Sequence, residues 1–291
     1  MSVGGSSILE KTGANDDDST GGNTFTGLTT VTNSSSGQFN FANTNPDIFN
    51  GGLTINNTGT SRVQIGIASA GNQINGDLVI NHGGNAAGAV NTIIARNAGC
   101  SATINGNVTL TCTNSNAASG IIIANDGAVT INGNISVTST SGSGIYFGNA
   151  SGTVNQSAGF SITQGTFSTG TLTFKSFTQG AAPATTLLLT GSSILRVGPA
   201  STFGGDVDLR APQLYLDGTT FTGTAYLEKT GATNNTGLGN NIFSSTSTIV
   251  NSGSGVLRTN GNNTFNGAAN ITNSGSSDLL LELKEHGSIT I

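Results

Sequence analysis

One phrase recurs along this chain and constrains its fold more than any other feature. It is an apolar residue, often followed by Asn-Gly or x-Gly, and then a short alternating segment. It reads TFTGLTTVTN at 24–33, IFNGGLTINN at 48–57, QINGDLVINH at 73–82, TINGNVTLTC at 103–112, TINGNISVTS at 130–139 and TFNGAANITN at 264–273. Taking the first apolar residue as an anchor gives Phe25, Phe49, Ile74, Ile104, Ile131, Val154, Phe177, Phe203, Phe221, Phe243 and Phe265, with steps of 18 to 30 residues. Eleven turns of about 24 residues then cover the chain. Val154 and Phe177 fit worst, because the segment that follows, around Phe160 and Ile162, is shifted by two.

Positions four and six after most anchors are also apolar or small, as in Leu53 and Ile55, Leu78 and Ile80, or Val108 and Leu110. With a period of two these face the same way as the anchor, and the intervening Thr, Ser and Asn face out. A second alternating segment closes each turn, for example Phe39 and Phe41, Ile121 and Ile123, or Leu281 and Leu283. Each turn is therefore expected to hold two short strands joined by Gly, Asn and Ser corners. One turn cannot bury its apolar face alone, but stacking turns at about 4.8 Å pairs every strand in parallel and piles like side chains inside. The expected fold is all-β, a right-handed parallel β-helix (β-solenoid) about 50 Å long. Asn and Gly suit corners that need positive φ, and Asn amides can ladder from turn to turn. No stretch shows sustained helical spacing.

A longer repeat encloses the short one. LEKTGA occurs at 9–14 and at 227–232, a shift of 218 residues, and NTFTGLTTVTNSSSG at 23–37 then meets NIFSSTSTIVNSGSG at 241–255. After a two-residue gap, IFNGGLTINNTGTSRVQIGI at 48–67 meets TFNGAANITNSGSSDLLLEL at 264–283. Residues 1–291 thus read as one continuous solenoid segment, with a super-repeat at 9–226 and a partial second copy at 227–291. The expectation is a piece excised from a longer chain with many copies, Met1 being a cloning start.

Composition removes several classes. Gly, Thr, Asn and Ser make up just over half of the 291 residues and only 8% are charged, yet the regular apolar positions argue against disorder. No apolar run approaches the roughly 18 to 20 residues of a membrane-spanning helix, so no membrane insertion is expected. A net charge of -5 without a basic run gives no footprint for nucleic acid. Two cysteines and two isolated histidines indicate neither a zinc site nor a disulfide scaffold. The opening MSVGGSS carries no secretory signal.

The segments TFNGAANITNSGSSDLLLEL, FNGGLTINNTGTSRVQI and QINGDLVINH resemble the repeats of giant tandem-repeat surface β-solenoid adhesin and filament proteins of gliding, often marine, Bacteroidota. The resemblance extends over nearly the whole chain and is specific to an architecture. It implies a secreted protein at the extracellular surface of a Gram-negative cell, exported by the gliding-associated route and used in cell adhesion. The repeats are also similar to the grappling-hook filaments of predatory gliders, which implies a role in predation. No catalytic residue comes with the family.

Individual residues carry further expectations. Asp16, Asp17 and Asp18 form a candidate Ca²⁺ site, weighed against a solvated loop because the residues 218 later are Asn234, Asn235 and Thr236. Otherwise no cofactor is expected. Asp206 and Asp208 resemble the paired carboxylates of β-helical polysaccharide lyases and hydrolases, but Arg210 and Glu228 fall in one column, so an ion-pair ladder is favoured over a carbohydrate-active enzyme. Thr30 with Thr32, and Thr109 with Thr111, suggest a Thr-x-Thr ice-binding face, interrupted by Val79 and Asn81, Asp208 and Arg210, and Tyr226 and Glu228. Cys100 and Cys112 take inward positions of one turn, as free thiols or a disulfide. His82 and His286 are expected to be solvated, and the loops at 81–91 and 113–120 are candidate contact surfaces. Together these favour a non-enzymatic structural and adhesive segment. Its expected partners are neighbouring repeats of its own chain, sister chains in a filament, and a surface or glycan target.

Overall fold

The computed structural model describes residues 1–84, 90–286 and 289–290. Every element among them is a β-strand and every strand pair is parallel, which makes the fold a parallel β-solenoid. The fourth turn shows the plan: Asn72–Ile74 lies on face 1, Leu78–His82 on face 2 and Asn91–Ile94 on face 3. Each pairs with its counterparts one turn below and one turn above, so the hydrogen bonds run along the axis.

Among the described residues there are twelve full turns, one more than the phrase count. The extra turn is the first, where Val3 pairs with Phe25 without the Asn-Gly phrase to announce it. There are also three strands per turn where two were expected. The anchor and the segment after it belong to different sheets, separated by a corner such as Asn75, Gly76 and Asp77. Both still point inward, because the corner turns the chain while alternation resumes on the next face. Glycine is needed here for close approach: a Cβ on Gly133 would sit 2.1 Å from the Gly106 carbonyl oxygen, and one on Gly106 would sit 2.5 Å from the backbone of Gly76.

All eleven anchors are buried. Phe25 stacks on Phe49 at 5.0 Å, and Phe203, Phe221, Phe243 and Phe265 form a stack with ring centroids 5.9, 5.2 and 4.6 Å apart. Val154 and Phe177, however, lie two residues ahead of the anchor column. Ile131 pairs with Gln156, and Gln179 pairs with Phe203, so two buried glutamines occupy the column in turns 7 and 8. The cause lies in the corners that follow, which hold five residues (157–161 and 180–184) where turn 6 has three. Gln156 Nε2 donates to the carbonyls of Gly133 and Ser161 at 3.0 and 3.2 Å, and Gln179 Nε2 donates to Gln156 Oε1 and Thr185 Oγ1 at 3.2 and 3.1 Å.

The same two turns divide face 2. One sheet runs from Ser7–Lys11 to Ile162–Phe167, and a second from Thr185–Leu188 to Ile289–Thr290. Faces 1 and 3 continue past this point.

Candidate functional site

The charged cluster lies on the outer surface of face 2 in turns 9 and 10, where Val207–Ala211 pairs with Ala225–Lys229. Alternation turns Asp208, Arg210, Tyr226 and Glu228 outward while Leu209 and Leu227 fill the core. Arg210 and Glu228 are ladder partners, with Nη1 to Oε2 at 3.7 Å. The tighter contact is within the strand: Arg210 Nε and Nη2 each donate to Asp208 at 2.8 Å, a bidentate pair. The guanidinium lies 4.5 Å from the Tyr226 ring centroid, the Tyr226 hydroxyl donates to Glu228 at 3.1 Å, and Ser252 donates to the other Glu228 oxygen at 2.6 Å. Asp208 holds the guanidinium pKa above its ordinary value, while burial first and Glu228 second raise that of Tyr226. A second cluster sits on face 3, where Arg196 lies 4.1 Å from the Tyr215 ring centroid and donates to Asp217 at 2.9 Å. Asp206 accepts the Thr224 amide at 2.7 Å. Asp206 and Asp208 are therefore engaged by different groups, Asp206 by the next turn and Asp208 by Arg210 of its own strand.

Asp16, Asp17 and Asp18 do not converge. Asp16 accepts the Gln38 amide at 2.7 Å, Asp17 accepts the Lys11 ammonium at 3.0 Å, and Asp18 accepts Asn40 Nδ2 at 2.7 Å. Among the described residues no three His, Cys, Asp or Glu side chains come together as a metal site.

The Thr-x-Thr columns fall in two blocks. In turns 2 to 7, Thr30, Thr54, Val79, Thr109, Ser136 and Thr163 form one outward column, and Thr32, Asn56, Asn81, Thr111 and Thr138 form the next. This stretch carries no charge. Asp208, Arg210, Tyr226 and Glu228 belong to the other sheet of face 2.

Several polar residues inside the rod were missed in the sequence. Where face 2 turns into face 3, one inward column holds Lys11, Asn33, Asn57, His82, Cys112 and Ser139, all buried. His82 is thus buried, not solvated: its Nδ1 lies 3.1 Å from Thr92 Oγ1, and desolvation lowers its pKa to about 4. The alternation of LVINH had already placed it inside. The side chain of His286 lies outside the described residues, as does the middle of the 81–91 loop. Cys100 and Cys112 are buried free thiols; Cys100 donates to the Ile67 carbonyl at 2.9 Å, and burial raises the Cys112 pKa to about 11.

The repeat copy of Lys11 is Lys229, which is fully buried. Lys11 has Asp17 as a partner, whereas the residue equivalent to Asp17 is Asn235, and Lys229 donates to the Gly231 carbonyl. Desolvation lowers its pKa.

Where face 3 turns into face 1, a second inward column holds Asn23, Asp47 and Asn72 near one end and Thr219, Asn241 and Asn263 near the other. The side-chain oxygens of Asp47, Asn72, Asn241 and Asn263 each accept a main-chain amide from the turn below, those of Asn23 at 2.8 Å, Asp47 at 3.0 Å, Thr219 at 3.0 Å and Asn241 at 3.2 Å. Asp47 stands in an amide's place, with Oδ2 buried and unpartnered, and desolvation raises its pKa.

No family of known proteins, no curated protein and no solved structure matches the chain.

Proposed function

We propose that this chain is a structural and adhesive segment of a giant extracellular repeat protein, displayed at the surface of a Gram-negative bacterium and forming a stiff rod or filament for attachment to surfaces or other cells. The observation that supports this reading is the return of the same side-chain roles after one super-repeat. Lys229 fills the position of Lys11, Asn241 that of Asn23 and Asn263 that of Asp47, each in the matching column. Further copies would extend one stack instead of starting a new body. Load along the axis is then shared among ladder hydrogen bonds on three faces, or on faces 1 and 3 where face 2 divides, and a Thr, Ser and Asn skin keeps the rod solvated.

The test is a chain with residues 9–226 duplicated ahead of 227–291. Electron microscopy is expected to show a rod longer by about 43 Å, nine turns at about 4.8 Å each. Two bodies lying side by side would contradict the rod. Adhesion is tested separately, with protein-coated beads expected to be retained on bacterial cells or polysaccharide films beyond albumin-coated beads.

The uncharged Thr and Asn columns of turns 2 to 7 favour a second reading, a flat face for ice. Thermal hysteresis abolished by Thr109→Lys would support it, and its absence in the native protein would remove it.

A further inference from the structure

We propose that the boundary between turns 7 and 8 is a hinge built into the rod, at which face 2 opens while faces 1 and 3 stay laddered. The inference needs only the fold and is independent of the adhesive reading.

Ile162–Phe167 and Thr185–Leu188 do not pair as ladder strands, although they occupy successive turns of face 2. The gap is bounded on both sides. Before it, the Gly159 amide donates to Ala181 at 2.7 Å and the Gly180 amide to Gln156 at 2.9 Å. After it, the Thr190 amide donates to Phe167 and the Ser192 amide to Ser168, both at 3.0 Å. Across it, the side-chain amide of Gln164 donates to the Leu188 carbonyl at 2.5 Å. One side chain replaces a ladder.

The cause is local. Val137 pairs with Gln164 but Ser139 pairs with Phe167, so the turn-7 strand carries one extra residue and bulges away from its next neighbour. The other two faces keep their bonds. On face 1, Val154, Asn155 and Gln156 pair with Phe177, Thr178 and Gln179; on face 3, Thr171–Phe174 pairs with the strands on both sides.

What lies behind the gap also differs from the rest of the core. Gln156 and Gln179 are buried there, in the column where other turns place Ile or Phe, with buried Thr185 beside them. Gln179 Oε1 and Gln164 Oε1 are buried without a protein partner. Water entering the opening would find these acceptors beside Ile162, Phe167 and Leu187, with no face-2 ladder to break on the way in. Two continuous faces and one interrupted face let the rod bend about that line without parting.

Hydrogen exchange read by mass spectrometry on the folded chain tests the hinge. Amides in 162–167 and 185–188 are expected to exchange at least tenfold faster than those in the flanking face-2 strands, 135–139 and 207–211. Gln164→Ala should accelerate both seam segments and leave 29–33 and 247–251 unchanged. Protection of the native seam equal to that of its flanks would overturn the proposal. Acceleration spread evenly along the rod in the variant would overturn it too, by showing that Gln164 supports the fold in general.

Discussion

Asp47 shows how a single atom sets a stability profile. Its repeat copy, Asn263, uses Oδ1 to accept the Asn241 amide and Nδ2 to donate to Thr259 Oγ1 and the Glu282 carbonyl, both at 2.8 Å. Asp47 keeps the first role, accepting the Asn23 amide and Asn23 Nδ2, while its second oxygen is buried without a hydrogen-bond partner. Burial raises its folded pKa above the ordinary 3.8. Between these two values the folded chain holds a proton that the unfolded chain has released, so stability falls as pH rises through that window. Asp47→Asn is therefore expected to stabilise at neutral pH, by about 1–3 kcal/mol for a buried unsatisfied group. The difference should shrink as the pH falls and vanish below 3.8, where both states are protonated. Denaturant melts of both proteins at several pH values check this. A variant less stable at neutral pH would show that the carboxylate has a partner there. The surface pairs matter less. Arg210 with Asp208 is part-exposed and worth about 0.2–1 kcal/mol, so losing it should barely move the melt.

At the scale of strands and corners, glycines divide by what stands behind them. Gly133 has the Gly106 carbonyl 2.1 Å from where a Cβ would lie, whereas Gly13 has nothing within 4 Å. Gly133→Ala must push two turns apart and is expected to cost about 1–3 kcal/mol, the range for overpacking, while Gly13→Ala is neutral or slightly stabilising. Comparable losses at both sites would mean that backbone entropy, not stacking distance, sets the cost. The corner beside Gly133 also carries the amide ladder expected of its asparagines: Asn75 donates to Asn50, Asn105 to Asn75 and Asn132 to Asn105, each at 2.8 Å. Where the phrase x-Asn-Gly holds, sequence and structure agree residue by residue, because apolar anchor, tight corner and alternating strand are each locally encoded. Legibility fails in two ways. The corner between anchor and strand preserves inward alternation, so a change of face leaves no mark on the hydrophobic pattern, and two sheets read as one strand. In turns 7 and 8 the anchor position is glutamine followed by a five-residue corner, so neither an apolar anchor nor the x-Asn-Gly phrase marks the turn. The buried lysines were hidden differently: period two places Lys11 and Lys229 inside, but charge argues for solvent. Only the coordinates show the carbonyls that receive them.

Across the whole molecule, each turn contacts chiefly the turns beside it, so stability is a sum of turn and boundary terms and need not be lost in one step. The boundary between turns 7 and 8 lacks its face-2 ladder, which makes it the weakest link between two blocks of unequal chemistry. The first is uncharged on face 2 beyond Glu10 and Lys11 of turn 1 and holds both thiols; the second carries the Arg and Tyr clusters and the longest phenylalanine stack. With no tryptophan in the chain, and Tyr215 and Tyr226 as two of its three tyrosines, tyrosine fluorescence reports mainly on the second block. Reaction of Cys112 with a thiol reagent reports on the first, since its buried side chain reacts only when turn 5 opens. Followed together through a denaturant titration, the two signals are expected to give separate midpoints. Gln164→Ala should widen the separation, because it removes the remaining side-chain tie across face 2. Coincident midpoints in both proteins would mean that the ladders on faces 1 and 3 alone couple the blocks fully, and that the rod unfolds as one unit despite the break.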